Sequence, residues 1–186
     1  MNILGKKIVL RAIEEFDLPK LHAWANDPET QHIMGGIHFP SSMAFHREWF
    51  NKLTSDQLNQ RFVIDTPDMG IIGLSSIIDI NWRNNRAWHG VMLGEKNIRG
   101  KGYGIDAVMA TMRYGFDELH FERLDGSMIE YNETSIKFYC EKLGWKIEGR
   151  RRNWFYRSGR YWDQVVVGIT RQDYQDLVKN TRYWDS

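Results

Sequence analysis

Between Ile105 and Leu119 the apolar residues Ile105, Val108, Met109, Met112, Phe116 and Leu119 recur at three- and four-residue steps, which predicts one face of an amphipathic helix. Upstream the pattern is mostly that of strands. Lys7 to Arg11 alternates. Arg61 to Thr66 and Ile71 to Ile80 read as antiparallel strands turned at Pro67-Asp68-Met69-Gly70, and Ala87 to Leu93 follows the polar connection Asn81 to Arg86. Helical spacing marks Phe16 to Trp24, closed by Asn26-Asp27-Pro28, and a second helix from Ser42 to Leu53. Gln31 to Pro40, with His32, Gly35, Gly36 and His38, has no period and reads as a loop long enough to serve a substrate. Downstream, Arg123 to Ile129 is a strand and Ser135 to Leu143 a helix. Trp145 to Trp154 and Tyr161 to Thr170 form a hairpin through Ser158-Gly159, and residues 171 to 186 give a short helix and an aromatic tail. The order βααββββαβαββ predicts an α/β (α+β) fold, a mixed sheet covered by helices.

Composition narrows the function classes. A chain of 186 residues suits one domain with a substantial core. Its net charge of +1, with acidic and basic residues interspersed, argues against nucleic acid as a partner. The single cysteine, Cys140, excludes an internal disulfide framework. With neither a signal peptide nor a long apolar span, the expectation is a cytoplasmic protein without a membrane partner. There is no pattern of ligands at metal spacing.

Arg99-Gly100-Lys101-Gly102-Tyr103-Gly104 stands between the strand ending near Leu93 and the helix that opens at Ile105. A helix start leaves backbone N–H groups without partners and carries partial positive charge, so this turn predicts a phosphate site. Gly102 and Gly104 let the chain curl around a ligand, and Arg99 and Lys101 add charge. It is not a Walker loop, because Lys101 is followed by Gly102, and Gly100, Gly102 and Ile105 do not form the dinucleotide GxGxxG.

Arg99, Gly102 and Gly104 fill the defined positions of the Q/R-x-x-G-x-G/A signature with which GCN5-related N-acetyltransferases grip the pyrophosphate of coenzyme A, and the segment resembles it. About thirty residues on, Asn132-Glu133-Thr134-Ser135-Ile136-Lys137-Phe138-Tyr139-Cys140-Glu141-Lys142-Leu143-Gly144-Trp145 resembles the same family's N-x-x-S/A-x-x-x-Y segment, with Trp145 in place of its usual phenylalanine. Gly159-Arg160-Tyr161-Trp162-Asp163 through Ile169, with Arg11, Asn26 to Thr30 and Gly94-Glu95-Lys96, is similar to the branch containing ribosomal-protein and spermidine acetyltransferases.

The resemblance implies a mixed, mostly antiparallel sheet flanked by helices, acetyl-CoA as cosubstrate without a metal, and direct transfer to an amine. It implies coenzyme contacts at Val91, Met92, Leu93, Arg99, Gly100, Lys101, Gly102, Tyr103, Gly104, Ile105 and Asn132. The N–H groups of Val91 to Leu93 would hold the oxyanion, and Tyr139 would protonate the leaving thiolate, a task that suits a phenol of ordinary pKa. Relatives often carry a glutamate early on the strand before the signature, where this chain has Trp88 and His89. His89 is one candidate base, but alternation puts it and Trp88 on opposite faces. Glu130 is a second candidate, and loss of the amine proton through water a third. Cys140 lacks an adjacent histidine to activate it for a covalent route. The expected acceptor is a small amine such as a polyamine, amino sugar, amino acid or antibiotic. A protein N-terminus is the alternative, and an idle acyl-CoA-binding module the competing class. A homodimer using the aromatic tail is a further expectation from the family.

Overall fold

The computed structural model describes residues 1–34 and 39–185. The strands are β1 (Ile3–Leu4), β2 (Val9–Ala12), β3 (Gln60–Thr66), β4 (Gly70–Asn81), β5 (Arg86–Leu93), β6 (Arg123–Ile129), β7 (Lys146–Arg157) and β8 (Arg160–Thr170). They form one sheet in the order β1-β2-β3-β4-β5-β6-β8-β7. Each neighbouring pair is antiparallel except β5 and β6, which run parallel. A parallel pair needs a crossover, and helix α4 (Tyr103–Arg113) supplies it. The remaining helices are α1 (Leu18–Ala25), α2 (Pro28–Met34), α3 (Met43–Leu53), α5 (Glu133–Lys137) and α6 (Arg171–Thr181).

The sheet is covered on both faces. On one, α1 and α3 bury Ile13, Leu18, Leu21, Trp24, Val63 and Ile71, with Trp49, Phe50 and Met92 packed alongside. On the other, α4 and the segments after β6 and β8 enclose Ala87, Met109, Met112, Phe116, Leu124, Trp145 and Val167. Complete burial of such side chains stabilises the fold by about 1.5–3 kcal/mol each. Ala87 and Val91 of β5 face the α4 side and Met92 the α1 side. The expected alternation therefore holds across the strand that matters most.

Four details differ from the sequence pattern. Three strands rather than four separate α3 from α4, and β1 is an additional strand too short to leave a periodic signal. Gln31 to Met34, expected in a loop, completes α2. Its start was legible: Asp27 Oδ2 accepts from Thr30 N at 2.8 Å and Thr30 Oγ1 at 2.6 Å, and Pro28 follows directly. Gly35, Gly36 and His38 of the expected loop lie outside the described residues. Lastly, the long helices expected from Ile105 and from Ser135 each widen to π geometry, at Tyr114–Glu118 and Phe138–Lys142.

The C-terminal aromatics pack on their own subunit. Tyr183 donates its hydroxyl to Asp106 at 2.7 Å, and the Arg113 guanidinium lies 3.8 Å over the Trp184 ring. No helix among the described residues is long and apolar enough to cross a membrane.

Candidate active site

The parallel pairing of β5 and β6 covers only Arg86↔Arg123, Ala87↔Leu124 and Trp88↔Asp125. Beyond Trp88 the strands part, while β5 stays paired with β4 to Leu93 and β6 with β8 to Ile129. The result is a wedge-shaped gap. Alternate N–H groups of a strand point to opposite sides, so those of His89 to Leu93 that face away from β4 meet no β6 carbonyl. The Val91 to Leu93 segment of the sequence prediction lines this gap. At its apex Gly126 leaves room for the Trp145 ring, 3.3 Å from where a Cβ would stand.

The gap opens towards the start of α4. Gly100 and Gly102 adopt φ of +80° and +87°, the left-handed region that favours glycine. Gly104, expected to share that role, is helical instead. A Cβ there would stand 3.4 Å from Leu93 and 3.5 Å from Phe138, in ordinary contact with both. No side chain caps α4, and its first intrahelical bond runs from Asp106 N to Gly102 O. The N–H groups of Tyr103, Gly104 and Ile105 lie ahead of that bond and point out of the helix end. A pyrophosphate fits such a terminus on physical grounds.

Arg99 is not waiting unpaired. Its guanidinium meets Glu29 at 3.2 Å, and Lys96 bridges Asp27 at 3.2 Å and Glu29 at 2.7 Å. Lys96 and the guanidinium hold the Glu29 carboxyl below its ordinary range, and the Thr30 bonds take Asp27 down to about 2. Gly94 and Glu95 join the same clasp. A Cβ on Gly94 would collide with Trp24 at 2.1 Å, and Glu95 pairs with Lys20 at 3.0 Å. These links bind the phosphate turn to α1 and α2, and sequence alone did not reveal them.

Tyr139 sits in the π turn, 6 % exposed, its ring against His89 (centroids 6.0 Å apart) and Trp145 (5.0 Å). Its hydroxyl has no hydrogen-bond partner among the described residues. Burial pushes the phenol above its ordinary pKa, a correction to the expectation of an unperturbed group. His89 is buried too, and burial takes its pKa down to about 4. Its Nδ1 lies 3.2 Å from Ser76 O, an acceptor, so that nitrogen carries the proton. Nε2 is then an unprotonated acceptor, sealed from solvent without a partner among the described residues. Asn132, the third predicted member, caps α5 by accepting from Ser135 N at 3.2 Å, which leaves its Nδ2 without a protein partner among the described residues. Cys140 is half-buried, and burial with Glu141 nearby raises its thiol pKa, the wrong direction for a nucleophile.

On the far side of the gap the surface is built from side chains. Tyr131 stacks on His32 of α2 at 4.8 Å and donates its hydroxyl to the His32 carbonyl. Trp162 of β8 meets Tyr131 edge-on at 4.7 Å, and Arg160 lies over the Trp162 ring at 3.4 Å. Glu130, the second candidate base, pairs with Arg150 at 3.4 Å. The β7–β8 hairpin carries Arg150, Arg151, Arg152, Arg157 and Arg160, of which Arg150 pairs with Glu130 and Arg151 donates to Gln164, a local excess of cations that the evenly balanced composition concealed.

The profile of the Acetyltransferase (GNAT) domain family matches residues 7–146. The chain is 29% identical over 172 residues to the SPbeta prophage-derived N-acetyltransferase YokL of Bacillus subtilis (strain 168), covering 92% of this chain and 94% of that one. It is 25% identical over 173 residues to the spermidine N(1)-acetyltransferase of Vibrio cholerae, covering 92% and 97%. The fold is that of a spermidine N-acetyltransferase from Vibrio cholerae solved in complex with CoA and spermine, with a TM-score of 0.85 at 24% identity over 92% of this chain and 99% of the other. A strand gap beside an uncapped, glycine-turned helix start thus agrees with the family match, and the chain belongs to the GNAT acetyltransferases, enzymes that use acetyl-CoA to acetylate amines.

Proposed function

We propose that this enzyme transfers acetyl directly from acetyl-CoA to a primary amine of a small cationic molecule of the polyamine class. The observation that carries the direct route is the β5–β6 gap with the Tyr139 ring against its first unpaired residue, His89. The spermidine acetyltransferase among its relatives supports the acceptor class.

Acetyl-CoA supplies an acyl carbon already activated as a thioester. Around it the N-terminal N–H groups of α4, from Gly102 to Ile105, hold the pyrophosphate, with Arg99, Gly100 and Lys101 on the turn. Backbone N–H groups among Val91, Met92 and Leu93 take the charge that develops on the carbonyl oxygen. Tyr139, kept protonated by burial, donates to the departing sulfur. Asn132 offers its Nδ2 to the pantetheine arm. His89 is too weak a base and too enclosed to reach the amine, and it acts by fixing the Tyr139 ring from behind. The Glu130 carboxylate is held by Arg150. The acceptor therefore sheds its proton through water.

A second acceptor has its own support. Five arginines on the β7–β8 hairpin suit a protein N-terminus flanked by acidic residues better than a polycation. Release of coenzyme A thiol, measured against spermidine, spermine, amino sugars, amino acids and short acidic or basic peptides, separates the two. Turnover of spermidine or spermine without peptide turnover supports the polyamine, and turnover of acidic peptides alone overturns it. The route survives either result, because both acceptors are amines.

A further inference from the structure

Asp106, in the first turn of α4, is buried, and its carboxylate faces away from the phosphate turn into the bend between β1 and β2. There it accepts from Lys6 N at 2.9 Å, Lys7 N at 2.6 Å and Ile8 N at 3.1 Å, and from the Tyr183 hydroxyl at 2.7 Å. It sits so close to Gly5 that a Cβ there would stand 2.4 Å from Oδ2. This network fixes the Lys7 backbone relative to the end of α4. The Lys7 side chain then reaches the turn itself: Nζ donates to Lys101 O at 3.1 Å and stands 3.5 Å from where a Gly102 Cβ would be. Among the described residues no carboxylate pairs with it. On the opposite flank Glu29 and Asp27 already engage Arg99 and Lys96.

We propose that Lys7 binds the 3′-phosphate of coenzyme A, so that this enzyme discriminates coenzyme A from its 3′-dephospho form. The proposal rests on the pyrophosphate lying at the start of α4. With the thioester arm in the β5–β6 gap, the proposal runs the adenosine end along the turn beside the Lys7 ammonium, where Nζ meets Lys101 O. A phosphate monoester there carries close to two negative charges, and an ammonium that among the described residues meets a neutral carbonyl and the Tyr103 ring face but no carboxylate is suited to meet it.

Calorimetric titration with coenzyme A and with 3′-dephospho-coenzyme A, on the native enzyme, Lys7→Ala and Lys7→Arg, tests this. Lys7→Ala is expected to bind coenzyme A about tenfold more weakly, to bind the dephospho form as the native enzyme does, and to regain most of the lost affinity in Lys7→Arg. Equal losses for both ligands, or none for either, overturn the proposal. Thermal unfolding of Lys7→Ala tells a loss of fold from a loss of contact, since Asp106 binds the backbone N–H, which the substitution leaves in place. Gly102→Val tests the supporting step separately: if that variant still binds both ligands normally, the pyrophosphate position is wrong and not merely the role of Lys7.

Discussion

The start of α4 and the β7–β8 hairpin are made of different material. The first, where we propose the coenzyme binds, is backbone: two left-handed glycines, a helix end without a side-chain cap among the described residues and a strand whose neighbour turns away. The second, where we propose the acceptor enters, is side chain: Tyr131 on His32, Trp162 against Tyr131, and the arginines of the hairpin. On that proposal backbone geometry would hold any acyl-CoA by the parts all of them share, and only a few residue types can build it. Side chains discriminate among acceptors and are free to vary without loss of the fold. Substitutions on the two sides should therefore separate coenzyme affinity from acceptor affinity.

The largest effect is expected at Gly102. Its φ of +87° is strained for any residue with a Cβ and an outlier for a branched one. Gly102→Val should reduce coenzyme A affinity by about 100-fold or more in calorimetry. Retained affinity would mean that the turn does not carry the pyrophosphate.

His89, at the junction of the two sides, comes next. Its folded-state pKa of about 4 lies below the ordinary 6.5, so the unfolded chain binds more protons between those values. The stability it contributes is complete above pH 6.5 and is lost as pH falls through 4, about 3 kcal/mol in all. His46 is lowered in the same direction by burial and by His22, so the comparison must be against His89→Gln. Denaturant unfolding should lose less stability between pH 6.5 and 4 in that variant. The native pH–rate profile should correspondingly show no break near 6.5, and a break there that disappears in His89→Gln would restore His89 as a base.

On the acceptor side, Trp162→Ala should raise the KM for the amine about tenfold and leave coenzyme affinity unchanged. A parallel loss of coenzyme affinity would erase the division between the sides. The smallest effect is expected at Glu29, whose pair with Arg99 is exposed and screened by solvent. Glu29→Gln frees the guanidinium for phosphate and should tighten coenzyme binding by a few-fold, measurably at low salt and less so at high salt.

The same division explains what the sequence disclosed. The left-handed turn at Gly102 and the pairing of a glycine turn with a downstream tyrosine were legible because such a turn and such a helix each demand particular residues at set spacing. The mixed sheet was legible from alternation and element order, while the place of its parallel step, β5 beside β6, was not. Arg11 and Gly94 to Lys96 also stood out, and the structure gives them a scaffold role: Arg11 pairs with Asp17 at 2.8 Å and Asp65 at 2.5 Å, and the second group clasps α1 and α2. What stayed hidden depends on contacts between distant segments. Nothing local to Lys7 points to Gly102, 95 positions later, nor does His32 point to Tyr131, 99 positions away. The π turn at Tyr139 was hidden for another reason, since one widened turn barely alters the helical pattern.

The role of Tyr139 is tested most directly by measuring kcat and the acetyl-CoA dissociation constant together in Tyr139→Phe. The ring remains to pack against His89 and Trp145 and only the hydroxyl is lost. Proton donation to the leaving sulfur predicts that kcat falls by about 100-fold or more while the dissociation constant stays as in the native enzyme. An unchanged kcat, or a loss of binding that matches the loss of turnover, would contradict it.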